Sequence, residues 1–164
     1  MKNNCTFVHT NNVVMSIEEE IKSTVKLSIT KKVMLNLTFT RNFIGDKFSD
    51  LLKPFGISSE QYNVLRILRG QKGTPINMQD IQERMVTKNS NTTRLIDKLL
   101  LKEMVIRNTC PNNRRKIEIK ITEQGLKILS QLDPIIEKHD LLLTDKLTNT
   151  ELETLNNLLE KIRN

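Results

Sequence analysis

Residues 87–122 read TKNSNTTRLIDKLLLKEMVIRNTCPNNRRKIEIKIT. The stretch opens with seven short polar or cationic residues and passes into an apolar period of three and four. It then changes to strict alternation on either side of a proline- and asparagine-containing basic turn. A period near 3.6 followed by a period of two predicts a helix that runs directly into a β-hairpin. A helix joined to a hairpin with arginines at its tip is the outline of a winged helix. That shape lays the helix in a DNA groove and the loop on the flanking backbone.

On a helical wheel of about 100° per residue, Thr92, Leu95, Ile96 and Leu99 fall in one arc and are expected to face a core. The opposite side carries Ser90, Arg94, Asp97 and Lys98, flanked by Asn91 and Thr93. Amides pair with adenine edges, arginine pairs with guanine, and a threonine methyl can meet a thymine methyl, so this face has the chemistry of base reading. Thr87 is the expected N-cap, with Ser90 at the third position, and the helix N-terminus favours phosphate. A solvated polar face has the same composition, and the hairpin decides between the two. Val105, Arg107 and Thr109 alternate with Ile106 and Asn108, and Ile117, Ile119 and Ile121 alternate with Glu118 and Lys120. Between these strands Pro111, Asn112 and Asn113 supply turn chemistry, and Arg114, Arg115 and Lys116 follow on the descending side. A projecting arginine loop suits phosphates or a narrow minor groove. The residues expected on DNA are Lys88, Asn89, Ser90, Asn91, Thr93, Arg94 and Lys98 from the helix and its start, with Asn112, Asn113, Arg114 and Arg115 from the turn.

Upstream, Asn77 is placed to cap a helix reaching Met85, with Asp80 at its third position. Together with the helix that follows, it makes a helix-turn-helix. Ile76 is expected as a short strand. Ser58 and Gln61 form a capping-box pattern for an earlier helix with Tyr62, Leu65 and Leu68 on its buried face, stopped by the stretch from Gly70 to Pro75. Before Pro54 and Gly56, apolar residues recur every four positions from Ile21 to Leu37 and continue to Phe55. This predicts one long helix from Ile17 to about Lys53, with Thr38, Thr40 and Gly45 as bending points. The first residues are polar and aperiodic, which predicts a disordered leader over 1–16, and Met15 is a candidate alternative start. Downstream, a helix from Glu123 to Leu143 is expected to kink or break at Pro134. Thr148 and Glu151 form a second capping box, opening a last amphipathic helix.

Composition narrows the function. With only six aromatic residues among 164, the core must come from Leu, Ile, Val and Met. No apolar run approaches the ~18 residues of a membrane span, and the first fifteen residues do not make a signal peptide, so a cytoplasmic protein is expected. Cys5 and Cys110 are too few and too far apart for a disulfide framework, neither lies at metal-ligand spacing, and both are expected as free thiols. Residues 60–122 hold 13 Lys/Arg against 6 Asp/Glu, while the remainder holds 13 of each, so the whole net charge of +7 lies around the helix and hairpin. That distribution marks a polyanion-binding centre between neutral flanks. Only His9 and His139 are available as imidazoles, and no nucleophile–base pair or phosphate-binding glycine loop appears. An enzyme is therefore the weakest class and no cofactor is expected. The competing binding function is a winged helix used for protein interaction or for nucleic acid without sequence preference.

These residues resemble the MarR-type winged-helix transcriptional regulators. FGISSEQYNVLRIL, MQDIQERM and NSNTTRLIDKLLLKEMVIR resemble the family's second, third and recognition helices, and NRRKIEIKITEQG its wing and the start of its fifth helix. The resemblance covers nearly all the chain after residue 16. It implies a mainly α fold with a small β-hairpin wing, in a homodimer whose terminal helices interlock. The implied organisation is an N-terminal dimerisation helix over 17–56, a DNA-binding lobe over 57–122 and C-terminal dimerisation helices over 123–164. Double-stranded DNA with an inverted repeat is the implied partner and repression the commoner role, with relief by a small-molecule effector. Arg115 stands at the position of the family's minor-groove arginine and Arg114 at its backbone-contacting neighbour. Two positions depart from the pattern. Asn113 replaces the wing aspartate, and Glu103 stands where a helix-ending glycine is usual. The family's oxidant-sensing branch carries a cysteine in the first long helix, and residues 31–37 contain none.

Overall fold

A computed structural model of the chain describes residues 15–110 and 113–164, and for residues 110 and 113–116 it describes the backbone alone. The leader up to residue 14, with Cys5 and His9, therefore lies outside the described residues, as do Pro111 and Asn112. The chain forms two compact units, the first ending at Asp46 and the second running from Lys47 to Asn164.

In the first unit, the single long helix expected from Ile17 is interrupted. A four-residue helix α1 (Ile17–Glu20) is followed by an irregular stretch, and α2 (Ile29–Leu52) begins after it. The break has local causes. Lys22 takes a left-handed φ of 52°, which continues no helix. The Ser23 hydroxyl donates to the Val25 carbonyl at 2.8 Å. Glu18 accepts the Leu27 amide at 3.1 Å and pairs with Lys32 at 2.6 Å, holding the two helical pieces across the gap. α2 itself runs without interruption through Thr38, Thr40 and Gly45. The Thr38 hydroxyl is satisfied by the Met34 carbonyl at 3.0 Å.

The second unit holds the core. After α2 a single 3-10 turn (Lys53–Phe55) ends at Gly56, whose φ of 66° supplies the left-handed reversal. Ser58 then caps α3 (Ser59–Gly70) through a complete capping box with Gln61. Ile76–Asn77 form β1, and the Asn77 side chain caps α4 (Met78–Arg84) by accepting the Asp80 amide at 2.9 Å. α5 (Thr92–Leu100) precedes β2 (Val105–Cys110) and β3 (Asn113–Ile121). The three strands make an antiparallel sheet in the order β1-β3-β2, with Ile76 opposite Ile119 and Val105 opposite Ile121. α6 (Glu123–Thr144) and α7 (Asn149–Arg163) complete the chain. Pro134 does not break α6. Its ring is exposed, and buried Leu129, Leu132 and Ile136 hold the helix on either side of the missing amide.

Tyr62, Leu65 and Leu68 from α3, Ile81 from α4, and Ile96 and Leu99 from α5 are buried together with Val105, Ile119 and Ile121 of the sheet. Leu129, Leu132 and Ile136 of α6 close this core. Ile117 is exposed while its alternation partners Ile119 and Ile121 are buried, so β3 joins the core only from Ile119 onward among the described side chains. The architecture is a winged helix, mostly helical with one small antiparallel sheet.

Candidate nucleic-acid interface

Met104 explains how the sequence turns from helix to wing. α5 ends in a Schellman motif: the Met104 amide donates to the Leu99 carbonyl at 3.0 Å and the Glu103 amide to Leu100 at 2.9 Å, with Leu99 and Met104 buried together. Glu103 adopts a φ of 56°, the left-handed conformation that a glycine would take at no steric cost. The departure seen in the sequence is thus accommodated by strain rather than by a different helix end. Thr122 then ties the far end of β3 to the same corner, donating its amide to the Met104 carbonyl at 3.1 Å and its hydroxyl to the Glu103 carbonyl at 2.7 Å. Gly125 is required here, because an added Cβ would lie 2.4 Å from the Met104 carbonyl oxygen.

α5 starts later than the sequence indicates. Asn91, not Thr87, is the N-cap, its side-chain oxygen accepting the Arg94 amide at 3.0 Å. Thr87 instead accepts the Ser90 hydroxyl at 2.8 Å, closing a turn in front of the helix. An asparagine one residue before the apolar period satisfies a helix amide better placed than any that Thr87 can reach, which fixes the boundary. Lys88, Asn89 and Ser90 consequently lie in the α4–α5 turn. Asn91, Thr93, Arg94 and Lys98 are exposed along one side of α5, while Thr92, Ile96 and Leu99 are buried on the other and Leu95 is half-buried. Lys88 points its ammonium to the Glu83 carbonyl at the end of α4, at 2.6 Å.

Two polar residues that the sequence did not single out hold this turn. The Gln82 amide donates to the Lys88 carbonyl and accepts the Thr92 hydroxyl. Asn63 of α3 accepts the Val86 amide at 2.9 Å. A threonine on the apolar arc was the available signal, since a buried hydroxyl needs a partner. A further cross-link joins α5 to the wing, Arg107 donating to Asp97 at 3.2 Å.

In the wing, Asn113, Arg114 and Arg115 are the first residues of β3, so the reversal is tighter than a turn spanning 110–116. Cys110 is paired opposite Asn113, with a register irregularity between Thr109 and Cys110. The side chains of Asn113, Arg114 and Arg115, and all of Asn112, lie outside the described residues, as does the Cys110 thiol.

A second polar feature lies between α3 and α6. Arg69 makes a two-pronged pair with Asp133, at 2.6 and 3.0 Å, which holds the guanidinium protonated above its ordinary range. Tyr62 and Arg66 line the same cavity with Ile136 and Glu137. Burial raises the Tyr62 hydroxyl pKa, and the Arg66 guanidinium stands 5.9 Å from its ring centre. Among the described residues no group of His, Cys, Asp and Glu has the arrangement of a metal site, and no helix is long and apolar enough to cross a membrane.

Comparison with known proteins places this geometry. The MarR family model matches residues 57–117, the span from α3 through most of the wing. The multiple antibiotic resistance protein MarR of Escherichia coli K12 is 31% identical over 117 residues, covering 70% of this chain and 78% of that protein. The crystal structure of a MarR transcription factor from Planctomyces limnophilus superposes with a TM-score of 0.65 at 30% identity, covering 83% of this chain and 98% of the other. A Staphylococcus aureus MepR–DNA complex has the same fold, with a TM-score of 0.71 at 19% identity over 82% of this chain and 96% of that one.

Proposed function

The chain belongs to the MarR family of transcriptional regulators, and from that premise we propose that it is a homodimeric, sequence-specific DNA-binding repressor of an inverted-repeat operator. The observation that carries this reading is the exposed, uncharged-to-basic start of α5, Asn91–Thr93–Arg94, followed by a wing whose second strand, β3, opens with Asn113, Arg114 and Arg115. α5 enters the major groove. Asn91, Thr93 and Arg94 read base edges, and Lys98 meets phosphate. Lys88, Asn89 and Ser90 present the turn to the flanking backbone. In the wing, Asn112 and Asn113 shape the reversal, Arg114 contacts backbone and Arg115 enters the minor groove. MepR has been crystallised on DNA with this fold, which supports the same use here.

The segments 17–56 and 123–164 serve as dimerisation elements. Leu141, Leu142, Leu155, Leu158 and Ile162 are exposed on α6 and α7, as are Ile29, Val33 and Phe43 on α2, and a second copy would cover them. Two recognition helices then sit about one DNA turn apart, ~34 Å. The cavity beside Arg69–Asp133 is the proposed site of a small-molecule effector that relieves repression, and the protein works in the cytoplasm without enzymatic chemistry.

Selection of bound duplexes from a random DNA pool tests the function. The expected result is an enriched palindrome with half-sites one helical turn apart. Equal retention of random and selected duplexes would instead favour a module without operator specificity. On the selected site, Arg115→Ala is expected to weaken binding by more than ~1 kcal/mol, and unchanged affinity would remove the wing from the contact.

A further inference from the structure

Asp97 is the only acidic residue within α5, and it stands on the exposed side, three residues after Arg94 and four after Thr93. A carboxylate on a face that meets a polyanion is repulsive unless it is neutralised or used. Its side chain is 54% exposed and its Oδ1 accepts a bond from the Arg107 guanidinium, which is 34% exposed, at 3.2 Å. Arg107 stands on the same side of β2 as Val105, because alternate strand residues share a face. Val105 is buried in the core shared with α5, so the next residue on that face reaches back along the helix. Register places Arg107 opposite Ile119 of β3, the strand that descends from the wing arginines. Beyond the helix end at Met104, the Asp97–Arg107 bond is therefore a direct polar tie between the helix and the wing.

An ion pair this exposed contributes little to stability. What it contributes is geometry, since a guanidinium held by a carboxylate fixes the direction of its strand. Arg94 and Lys98, on either side of Asp97, make no ion pair among the described residues, which leaves their charge for phosphate or base edges. We propose that Asp97 is a positioning residue which, through Arg107, fixes the wing strand against the recognition helix, so that both elements meet DNA in one register. Its charge also penalises binding to duplexes that do not match that register. The inference rests on the DNA-reading function proposed above and assigns a specificity role to a residue that does not itself contact a base.

The test measures equilibrium binding of the full-length protein to the duplex selected by the wild type and to a scrambled duplex of equal length and composition. Asp97→Asn is expected to lower the selected-to-scrambled affinity ratio by about fivefold or more, the scale of coupling within one ion pair, while binding to scrambled DNA tightens. Arg107→Gln should lower the ratio comparably, and the double variant should fall no further than either single one. Thermal midpoints should stay close to that of the wild type. An unchanged ratio in Asp97→Asn overturns the proposal, as does a double variant in which the two losses multiply. A loss confined to one base pair and to Asp97→Asn alone would make Asp97 a base-contacting residue and equally overturn it. A wild type that prefers no duplex would end the DNA-reading function itself, a result distinct from a wild-type preference that Asp97→Asn leaves untouched.

Discussion

The lobe from α3 to β3 and the last helix, α7, have similar apolar content and opposite uses of it. In the lobe, Leu65, Ile81, Ile96, Leu99, Val105 and Ile119 are all but inaccessible to solvent. In α7 no residue is buried, and Leu155, Leu158 and Ile162 are exposed at the spacing of a continuous stripe. Both regions have well-capped helices, so capping does not separate them. The difference is that the lobe finishes its own core whereas Leu155, Leu158 and Ile162 of α7 stay exposed among the described residues. Periodicity reports that a helix has an apolar side and is silent about which chain covers it.

Leucine truncations in the two regions are expected to differ in cost. Leu99→Ala should lower the unfolding free energy by ~2–5 kcal/mol in urea titration, whereas a leucine exposed in both states would cost under about 0.5 kcal/mol. A Leu99→Ala protein as stable as the wild type would mean that the lobe core is not closed as described. Next in size, the pair Leu155→Glu and Leu158→Glu should raise the dimer dissociation constant about 100-fold, roughly 2.8 kcal/mol, read by sedimentation equilibrium. An unaltered molecular mass at micromolar concentration would leave α7 without a role in assembly. Glu103→Gly should stabilise the lobe by about 1 kcal/mol, because it removes the cost of a left-handed non-glycine residue. A loss of stability would show that the Glu103 side chain makes an interaction outweighing its strain.

The smallest effect belongs to the α7 cap. The Thr148 amide, at 2.8 Å, and then its hydroxyl hold the Glu151 carboxyl below its ordinary value of 4.5. A folded pKa below the unfolded one stabilises the helix above the ordinary value, and that contribution disappears as pH falls through the folded value. Helicity of the wild type should therefore decline on acidification through the carboxylate range, and Glu151→Gln should flatten that part of the curve. An identical acid limb in the variant would show that the cap does not govern it.

Much of the fold is legible in the sequence. The Ser58–Gln61 and Thr148–Glu151 boxes, the Asn77 cap, the buried arc of α5 and the alternation of the two strands all follow from local rules, and local rules were enough to place them. The failures share one physical origin. The helix expected across Ile17–Lys53 is interrupted where Lys22 turns left-handed, and Glu18 bridges the gap to Leu27 and Lys32, features that an apolar period cannot register. Residue type alone favours Thr87 as the start of α5 because several polar residues compete there, and hydrogen-bond geometry selects Asn91. Within the candidate interface, the proposed contact residues Thr93, Arg94 and Lys98 are legible as an exposed face. The residues that hold that face in place, Gln82, Asn63 and Arg107, act across 10 to 23 positions of chain, pairings that no periodicity reports.

Thr122 joins the end of α5 to the start of α6 through two hydrogen bonds, and Gly125 lets the two backbones touch. In mechanical language this is a rivet, not a hinge. α6 becomes a rod with 22 residues, Glu123–Thr144, and at 1.5 Å per residue it extends ~33 Å from the rivet. A sideways displacement of ~3 Å at its far end corresponds to a rotation of only ~5° where it meets α5 over that ~33 Å length. If α6 moves as one body, a swing at its far end is expected to tilt α5 through the same small angle.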